Sequence, residues 1–471
     1  MIVRDIRRFL VVAGIALCSS VSVFSFPLRV NGLDSLNTAI LIRDLRFGAD
    51  LVSANIDRSL IPASVMKSVT VASMLNLADT SECFVTPVMA EGIIRDSVLA
   101  GNLVVRVCGD PTIESRFLPA SQGFADSIAA NLRRLGIRRI SGDVVIDSSD
   151  FPDATTPPGW MEEDIRWPYG ARLQGANFRD NRFRLRLPSK ETEPFVPDLK
   201  FSYVSPKRRG LKIDRKDGSE TFVVTGSPRR ALNDVFSTPY PSKVMRHEIV
   251  SVLRDCGITV EGRKVTPEKR SATVYEHRSP NFGEIMRSLM HRSDNLMAEG
   301  MLRAITPGGT RADAIREEMS VWAQAGVSAH GVVIKDGSGL SRDNRLTARF
   351  LAGVFQYMLT DPFGGDYMSL FPRAGYDGTM RNFLAGTSLE GRVAMKTGSM
   401  KGVQSYAGYL FGEDGHPTHL IIFIVNNFRC SRAALKSDIE RLLLEKFDVS
   451  LQSENISDEE TITEYPDNEE Q

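Results

Sequence analysis

Three short residue groups stand out for the chemistry they could do. Ser64-Val65-Met66-Lys67 sets a hydroxyl and an amine three positions apart; on a helix these share a face and meet. A serine hydroxyl is a poor nucleophile until a base takes its proton, and a lysine whose pKa is depressed by burial and nearby cations can be that base. A serine at a helix N-terminus also sits where developing negative charge is favoured. Alone the pattern says little, since about one Ser-x-x-Lys arises by chance at this composition, with the serine capping a helix and the lysine solvated. Ser293-Asp294-Asn295 adds a second hydroxyl and a carboxamide. Lys396-Thr397-Gly398-Ser399 adds a cation, two hydroxyls and a glycine on what reads as a strand. The three groups together fit acyl transfer through a serine ester. Ser64 would attack, Lys67 would accept the proton, and Ser293 would relay it to a leaving amine. Asn295 would hold a substrate amide, and Lys396 and Thr397 a substrate carboxylate. Gly398 would let the substrate backbone approach the strand, and the backbone N–H groups of Ser64 and Ser399 would hold the oxyanion.

These groups need elements to position them. Ala39–Leu45 and Asp50–Ile56 read as strands around a Gly48 turn, and Ser64 to Leu77 as a helix entered through Pro62-Ala63. A β-rich region follows, with runs at Leu103–Val107, Gly142–Ile146, Phe183–Leu187 and Phe222–Thr225, and helices at Gly123–Leu135 and Lys243–Cys256. The stretch Pro152–Pro168 holds four prolines and two tryptophans and reads as a loop or domain junction. After about residue 276 helices dominate, at Asn281–Ala304, Ala312–Ala325 and Thr347–Leu359. Strands then fall at Val393–Lys396, Tyr406–Phe411 and His419–Val425, before an amphipathic helix at Ser431–Phe447. No internal repeat is visible.

With 471 residues the chain is long enough for two or three domains. Its 58 basic and 58 acidic residues cancel, which argues against nucleic acid as a partner. Arg4, Arg7 and Arg8 precede a short apolar run from Phe9 to Leu17, and small residues follow. Residues 1–25 therefore read as a signal peptide, implying export, with the periplasm as destination. No later run is long enough to span a membrane. Residues 453–471 carry eight acidic and no basic residues and read as a disordered tail.

The three groups occur in the order written for serine β-lactamases and penicillin-binding proteins. More of the chain resembles one branch, the class C low-molecular-mass penicillin-binding proteins, which are D-alanyl-D-alanine carboxypeptidase/endopeptidases. The matching stretches are Ile61-Pro62-Ala63-Ser64, Gly109-Asp110-Pro111-Thr112, Ser141-Gly142-Asp143, Ile146-Asp147, Pro158-Gly159-Trp160, Asp336 through Arg342, and Gly375-Tyr376-Asp377-Gly378-Thr379. The resemblance covers roughly residues 33 to 450. It implies an α+β, multidomain protein with a DD-peptidase-like catalytic domain (a helical cluster plus an antiparallel sheet) and two inserted, nested, mainly β domains. Ser64 and Ser293 lie 229 positions apart, which leaves room for them. The implied division is 26–81 with 276–452 for the catalytic domain, 82–157 with 233–275 for the second, and 158–232 for the third.

The resemblance implies peptidoglycan stem peptides as substrates and β-lactam antibiotics as acylating ligands, with no cofactor and no metal. It also implies a pocket for the far end of a diamino-acid side chain, with Asp147 taking an amine and Arg342 a carboxylate. Lys401 departs from relatives that carry glutamine there. Two rival functions stay open, a β-lactamase and a non-catalytic wall-binding scaffold. A homo-oligomer is left open too. The absence of a Glu-x-x-Leu-Asn stretch in the insert counts against a class A β-lactamase. Cys83 starts one strand-like run and Cys108 ends another, and the two could pair in an exported protein or stand as free thiols. His416 and His419 flank a hairpin turn without a metal-binding partner set, and the cluster around Lys207-Arg208-Arg209 reads as a solvated face.

Overall fold

The computed structural model describes residues 26–204, 212–226, 231–265 and 270–448. The expected signal peptide, the acidic tail and the cluster Lys207-Arg208-Arg209 lie outside these.

The sequence Leu420-Ile421-Ile422-Phe423-Ile424-Val425 is apolar at every position, as a strand covered on both faces must be. It lies in the strand Pro417–Asn426, near the middle of a five-stranded antiparallel sheet. The sheet order is Val393–Met400, Val403–Phe411, Pro417–Asn426, Thr38–Asp44, Asp50–Ala54. The N-terminal strand is thus zipped against the C-terminal hairpin, with Thr38 opposite Val425 and Asp44 opposite His419. Alternate side chains go to opposite faces. Leu41, Leu420, Ile422 and Ile424 join a core built with the helices Met66–Leu77, Phe282–Arg292, Asn295–Ala304 and Ala348–Thr360. Ile40, Ile42, Ile421, Phe423 and Val425 join another core under the helix Arg432–Phe447.

The stretch between the Ser-x-x-Lys and Ser-Asp-Asn groups leaves and re-enters on paired strands. Val85–Arg95 carries the chain out, Ser271–Arg278 brings it back, and Val85 lies opposite Arg278. These strands join Val98–Arg106, Arg139–Ile140 and Thr259–Val260 in one sheet, with Val144–Asp147 pairing alongside, and the helices Phe124–Arg134 and Pro241–Asp255 pack on it. Two three-stranded sheets follow from residues 182–237, one of Arg182–Leu187, Glu191–Glu193 and Leu232–Ser237 and one of Lys200–Val204, Lys212–Asp214 and Thr221–Thr225.

One expectation changes, and one open pair of alternatives resolves. The apolar periodicity of Asn281–Ala304 suggested one helix, but the structure has two, Phe282–Arg292 and Asn295–Ala304. Ser293 adopts φ 58°, ending the first helix, and the Asp294 side chain accepts from the Met297 N–H at 3.0 Å, starting the second. Periodicity is blind to a break that preserves the buried face. The two strand-end cysteines are separate free thiols, with the Cys108 thiol directed at the Val85 carbonyl oxygen, 3.4 Å away, and Cys83 beside Arg278. Among the described residues no helix is long and apolar enough to cross a membrane.

Candidate active site

Ser64 lies in a 3-10 turn, Ala63–Val65, that runs directly into the helix Met66–Leu77. Lys67 occupies the first turn of that helix and is fully buried, because all ten residues from Met66 to Leu75 are buried and the helix has no polar face there to carry it outward. Its Nζ has three partners: Ser64 Oγ at 2.9 Å, Asn295 Oδ1 at 2.6 Å and the Ser338 carbonyl oxygen at 2.6 Å. Burial pulls its pKa down to about 8, against the opposing pull of Asp336, Asp294 and Glu299. The Ser293 break turns that hydroxyl toward the strand Val393–Met400, where Lys396 Nζ donates to Ser293 Oγ at 3.0 Å and to the Thr397 carbonyl oxygen at 2.8 Å. Lys396 is also fully buried, and burial together with the charge of Lys67 holds its pKa well below the usual lysine value.

Val393–Met400 is an edge strand. Its outer edge is covered near the start, where the Met395 N–H donates to the Pro372 carbonyl oxygen and Ala394 bridges Arg373. Further along, Thr397, Ser399 and Met400 line an open cleft of about 990 Å³ together with Ser64, Ser293 and Asn295. The strand also presses on the nucleophile turn. A Cβ on Gly398 would lie 2.7 Å from the Pro62 carbonyl oxygen and 3.0 Å from the backbone nitrogens of Ser64 and Val65. Glycine is required there by the protein's own turn, whereas the sequence suggested a substrate.

The loop Asp336–Arg342 forms the third wall. Asp336 is buried and receives four donors: the Gly339 and Ser341 N–H groups at 2.8 and 2.6 Å, Asn344 Nδ2 at 2.7 Å and Trp160 Nε1 at 2.7 Å. The Ser338 N–H donates to Glu299 Oε1 at 2.8 Å, which fixes the carbonyl that faces Lys67. Glu299 is buried and its pKa is pushed up to about 7. Gly339, at φ 78°, lies where a Cβ would run into the Ala63 carbonyl oxygen, so this loop and the nucleophile turn are in direct contact.

All of Ser64, Lys67, Ser293, Asn295, Lys396, Thr397, Gly398 and Ser399 therefore meet at one cleft. Arg342 lines its other end beside Lys401, whose carbonyl oxygen accepts from Arg342 Nη2 at 3.3 Å. Asp147 ends the strand Val144–Asp147, accepts from the Ser149 N–H at 3.0 Å, and is not among the residues lining the cleft. The carboxylates that do line it are Glu163 and Asp164, with Tyr169. Sequence reasoning passed over these three because Glu163 and Asp164 sit on a single helical turn, Glu162–Ile165, within the proline-rich stretch and Tyr169 in a 3-10 turn just after it, elements too short for a periodicity to mark a function. It also passed over Arg432, which binds Ser399 Oγ, Gln404 Oε1 and the Met400 and Val403 carbonyl oxygens, and so clamps the hairpin that carries Ser399. His419 faces Asp44 at 3.6 Å and meets the Phe447 ring edge-on, 4.7 Å between centroids.

A buried lysine bonded to a serine, with a second serine–lysine pair across the cleft, defines an active-site-serine acyl-transfer enzyme of the penicillin-binding class. The comparisons with known proteins narrow this. The profile of the D-Ala-D-Ala carboxypeptidase 3 (S13) family matches residues 28–444, and the chain belongs to that family. The D-alanyl-D-alanine carboxypeptidase of Actinomadura sp. (strain R39) is 30% identical over 451 residues, covering 86% of this chain and 80% of the relative. The D-alanyl-D-alanine carboxypeptidase DacB of Haemophilus influenzae is 26% identical over 446 residues, covering 89% and 91%. The crystal structure of penicillin binding protein 4 (dacB) from Haemophilus influenzae superposes with a TM-score of 0.75 at 22% identity, covering 89% of this chain and 98% of that one. The protein is a serine-type D-Ala-D-Ala carboxypeptidase.

Proposed function

We propose that Ser64 is the nucleophile and Lys67 its base. The contact that carries this reading is the 2.9 Å bond from Lys67 Nζ to Ser64 Oγ, made by a lysine whose pKa is near 8. Asn295 and the Ser338 carbonyl each take one Nζ hydrogen. In the neutral amine the remaining position, the lone pair, faces Ser64. Ser64 Oγ attacks the carbonyl carbon of the penultimate D-Ala while its proton passes to Lys67. The carbonyl oxygen becomes an oxyanion held by the Ser64 and Ser399 N–H groups. The proton then reaches the leaving nitrogen through Ser293, the C–N bond breaks, and a Ser64 ester remains. Water, deprotonated by Lys67, attacks the ester and frees the enzyme. Lys396 and Thr397 hold the carboxylate of the leaving D-Ala.

The open edge beyond Met395 supports strand-like binding of a peptide along Thr397–Met400. The cleft is far larger than a terminal dipeptide, which supports cleavage of D-alanyl cross-links as well as free termini. At the far end Arg342 takes a carboxylate of the diamino acid, and its amine goes to Asp147 or to the cleft carboxylates Glu163 and Asp164. We further assign the enzyme to the periplasm, on the strength of residues 1–25, and read the stretch between the first two groups as two nested inserted domains, on the strength of its paired entry and exit strands.

The test is Ser64→Ala. The expected result is a folded protein that takes up no covalent penicillin by mass spectrometry and releases no D-Ala from a pentapeptide. A stable penicilloyl adduct on this variant would overturn the assignment.

A further inference from the structure

A second cavity, of about 570 Å³, lies past the Ser293 end of the cleft and is lined by Arg116, Arg179, Arg182 and Arg184 together with Asp180 and Glu193. Its charges do not balance. Arg179 is neutralised by Glu248, with bonds of 2.8 and 2.5 Å, and Glu193 is taken by Arg186 at 3.2 Å. Arg184 reaches the neutral Asn233 Oδ1 at 3.0 Å. Among the described residues Arg116 and Arg182 form no ion pair, and Asp180 Oδ2 is buried without a hydrogen-bond partner while Oδ1 accepts from Ser115 at 2.6 Å. Burial and the positive field of Arg116, Arg184 and Arg292 hold the Arg182 pKa below its usual value, against the opposing pull of Asp180.

The cavity is joined to the active site by a short bridge. Arg292 immediately precedes Ser293 and lies over the ring of Phe117, 3.2 Å from its centroid, and Phe117 adjoins Arg116. The other end of the cleft is occupied by Arg342 and Lys401. Lys396 and Thr397 hold the leaving D-amino acid's carboxylate beside Ser293, so whatever is attached to that residue leaves the cleft on the Arg292 side. In a cross-linked substrate the attachment is a second stem peptide, which carries free carboxylates.

We infer that this arginine-lined cavity receives the carboxylates of the leaving arm of a cross-linked peptide, so that it selects cross-links over free termini. The inference rests on the roles proposed above for Ser64, Lys396 and Thr397. Guanidinium groups pair well with carboxylates through two parallel hydrogen bonds, and four of them line this one cavity.

The experiment compares wild type with the double variant Arg116→Gln/Arg182→Gln. Three substrates are used: a linear pentapeptide ending in D-Ala-D-Ala, its cross-linked dimer, and the same dimer with the leaving-arm carboxylates amidated. The expected result is a fall in kcat/KM of about tenfold or more for the free-acid dimer relative to the pentapeptide, with the amidated dimer losing its dependence on the arginines. Circular dichroism and uptake of fluorescent penicillin report folding. Equal loss on both dimers, or no loss on either, would overturn the inference. So would arginine-dependent retention of inorganic polyphosphate with unchanged dimer kinetics, since the cavity would then serve an anionic polymer. A wild-type enzyme that cleaves none of the three and takes up no penicillin would count against the Ser64 reading instead, a separate failure.

Discussion

Gly398→Ala tests how tightly the edge strand and the nucleophile turn are fitted. The added Cβ would lie 2.7 Å from the Pro62 carbonyl oxygen and 3.0 Å from two backbone nitrogens. Ordinary contacts at a methyl carbon lie near about 3.5 Å, so the strand and turn must part by roughly half an ångström or more. All three obstructing atoms are backbone, so no side chain can swing aside. Overpacking of this kind costs about 1–3 kcal/mol of stability. The larger effect falls on catalysis, because the same displacement moves the Ser399 N–H away from Ser64, and misplacement on the ångström scale costs about a hundredfold in rate. The expected result is a ten- to hundredfold fall in the second-order rate of acylation by a fluorescent penicillin, with a small drop in Tm. Acylation within twofold of wild type would show that the oxyanion site does not depend on this contact.

Three further outcomes follow from the same geometry. Acylation should rise about tenfold per pH unit below about 8 and level off above it, as Lys67 loses its proton; a rate flat from pH 6 to 9 would remove Lys67 as the base. Glu318 is buried behind the site against Ser73, and its pKa is pushed up to about 8, so it stays protonated in the folded chain where an unfolded glutamate would ionise. Stability contributed this way is present below the ordinary glutamate range and is lost as pH rises towards 8, on the order of 5 kcal/mol. Glu318→Gln should therefore flatten the decline of the urea midpoint between pH 5 and 8, and parallel profiles would refute it. Finally, Asp147→Ala and Asp164→Ala should separate in their effect on a peptide with a free diamino-acid amine. Asp164 lines the cleft, so its loss is expected to lower kcat/KM several-fold more than loss of Asp147, and the reverse order would return the amine to Asp147.

The chemistry was legible in the sequence because its spacing is local within each group. Ser64 and Lys67 are one helical turn apart, and Lys396 to Ser399 is a single strand segment. The pairing of those groups across the cleft was not legible from periodicity, and came from a resemblance. Ser293 shows why: its left-handed backbone is what aims the hydroxyl at Lys396, yet the residues on either side keep a helical pattern. Asp336 was visible as part of a matching stretch but not as a buried carboxyl group with four donors, since those donors are brought to it only by the folded loop and by Trp160. Glu163 and Asp164 lie on the single helical turn Glu162–Ile165 and Tyr169 in the 3-10 turn Pro168–Gly170, elements so short that side-chain direction is decided by tertiary packing. The strands of the central sheet were readable by their apolar runs. Their order was not, because Thr38 and Val425 meet only through long-range closure of the chain.

The bond from Trp160 to Asp336 has a consequence for anyone who would shorten this protein. Removing the stretch between the first two groups looks harmless on a topological diagram, since its two ends are adjacent strands. It would also take away the indole donor of a buried carboxylate, and the Pro158 and Gly159 carbonyl oxygens that hold Ser341 and Arg342. The loop that presents the Ser338 oxygen to Lys67 would lose its outer brace. A minimal version of the enzyme therefore needs a graft of residues 157–160, or a redesigned substitute for that indole, before it can be expected to turn over.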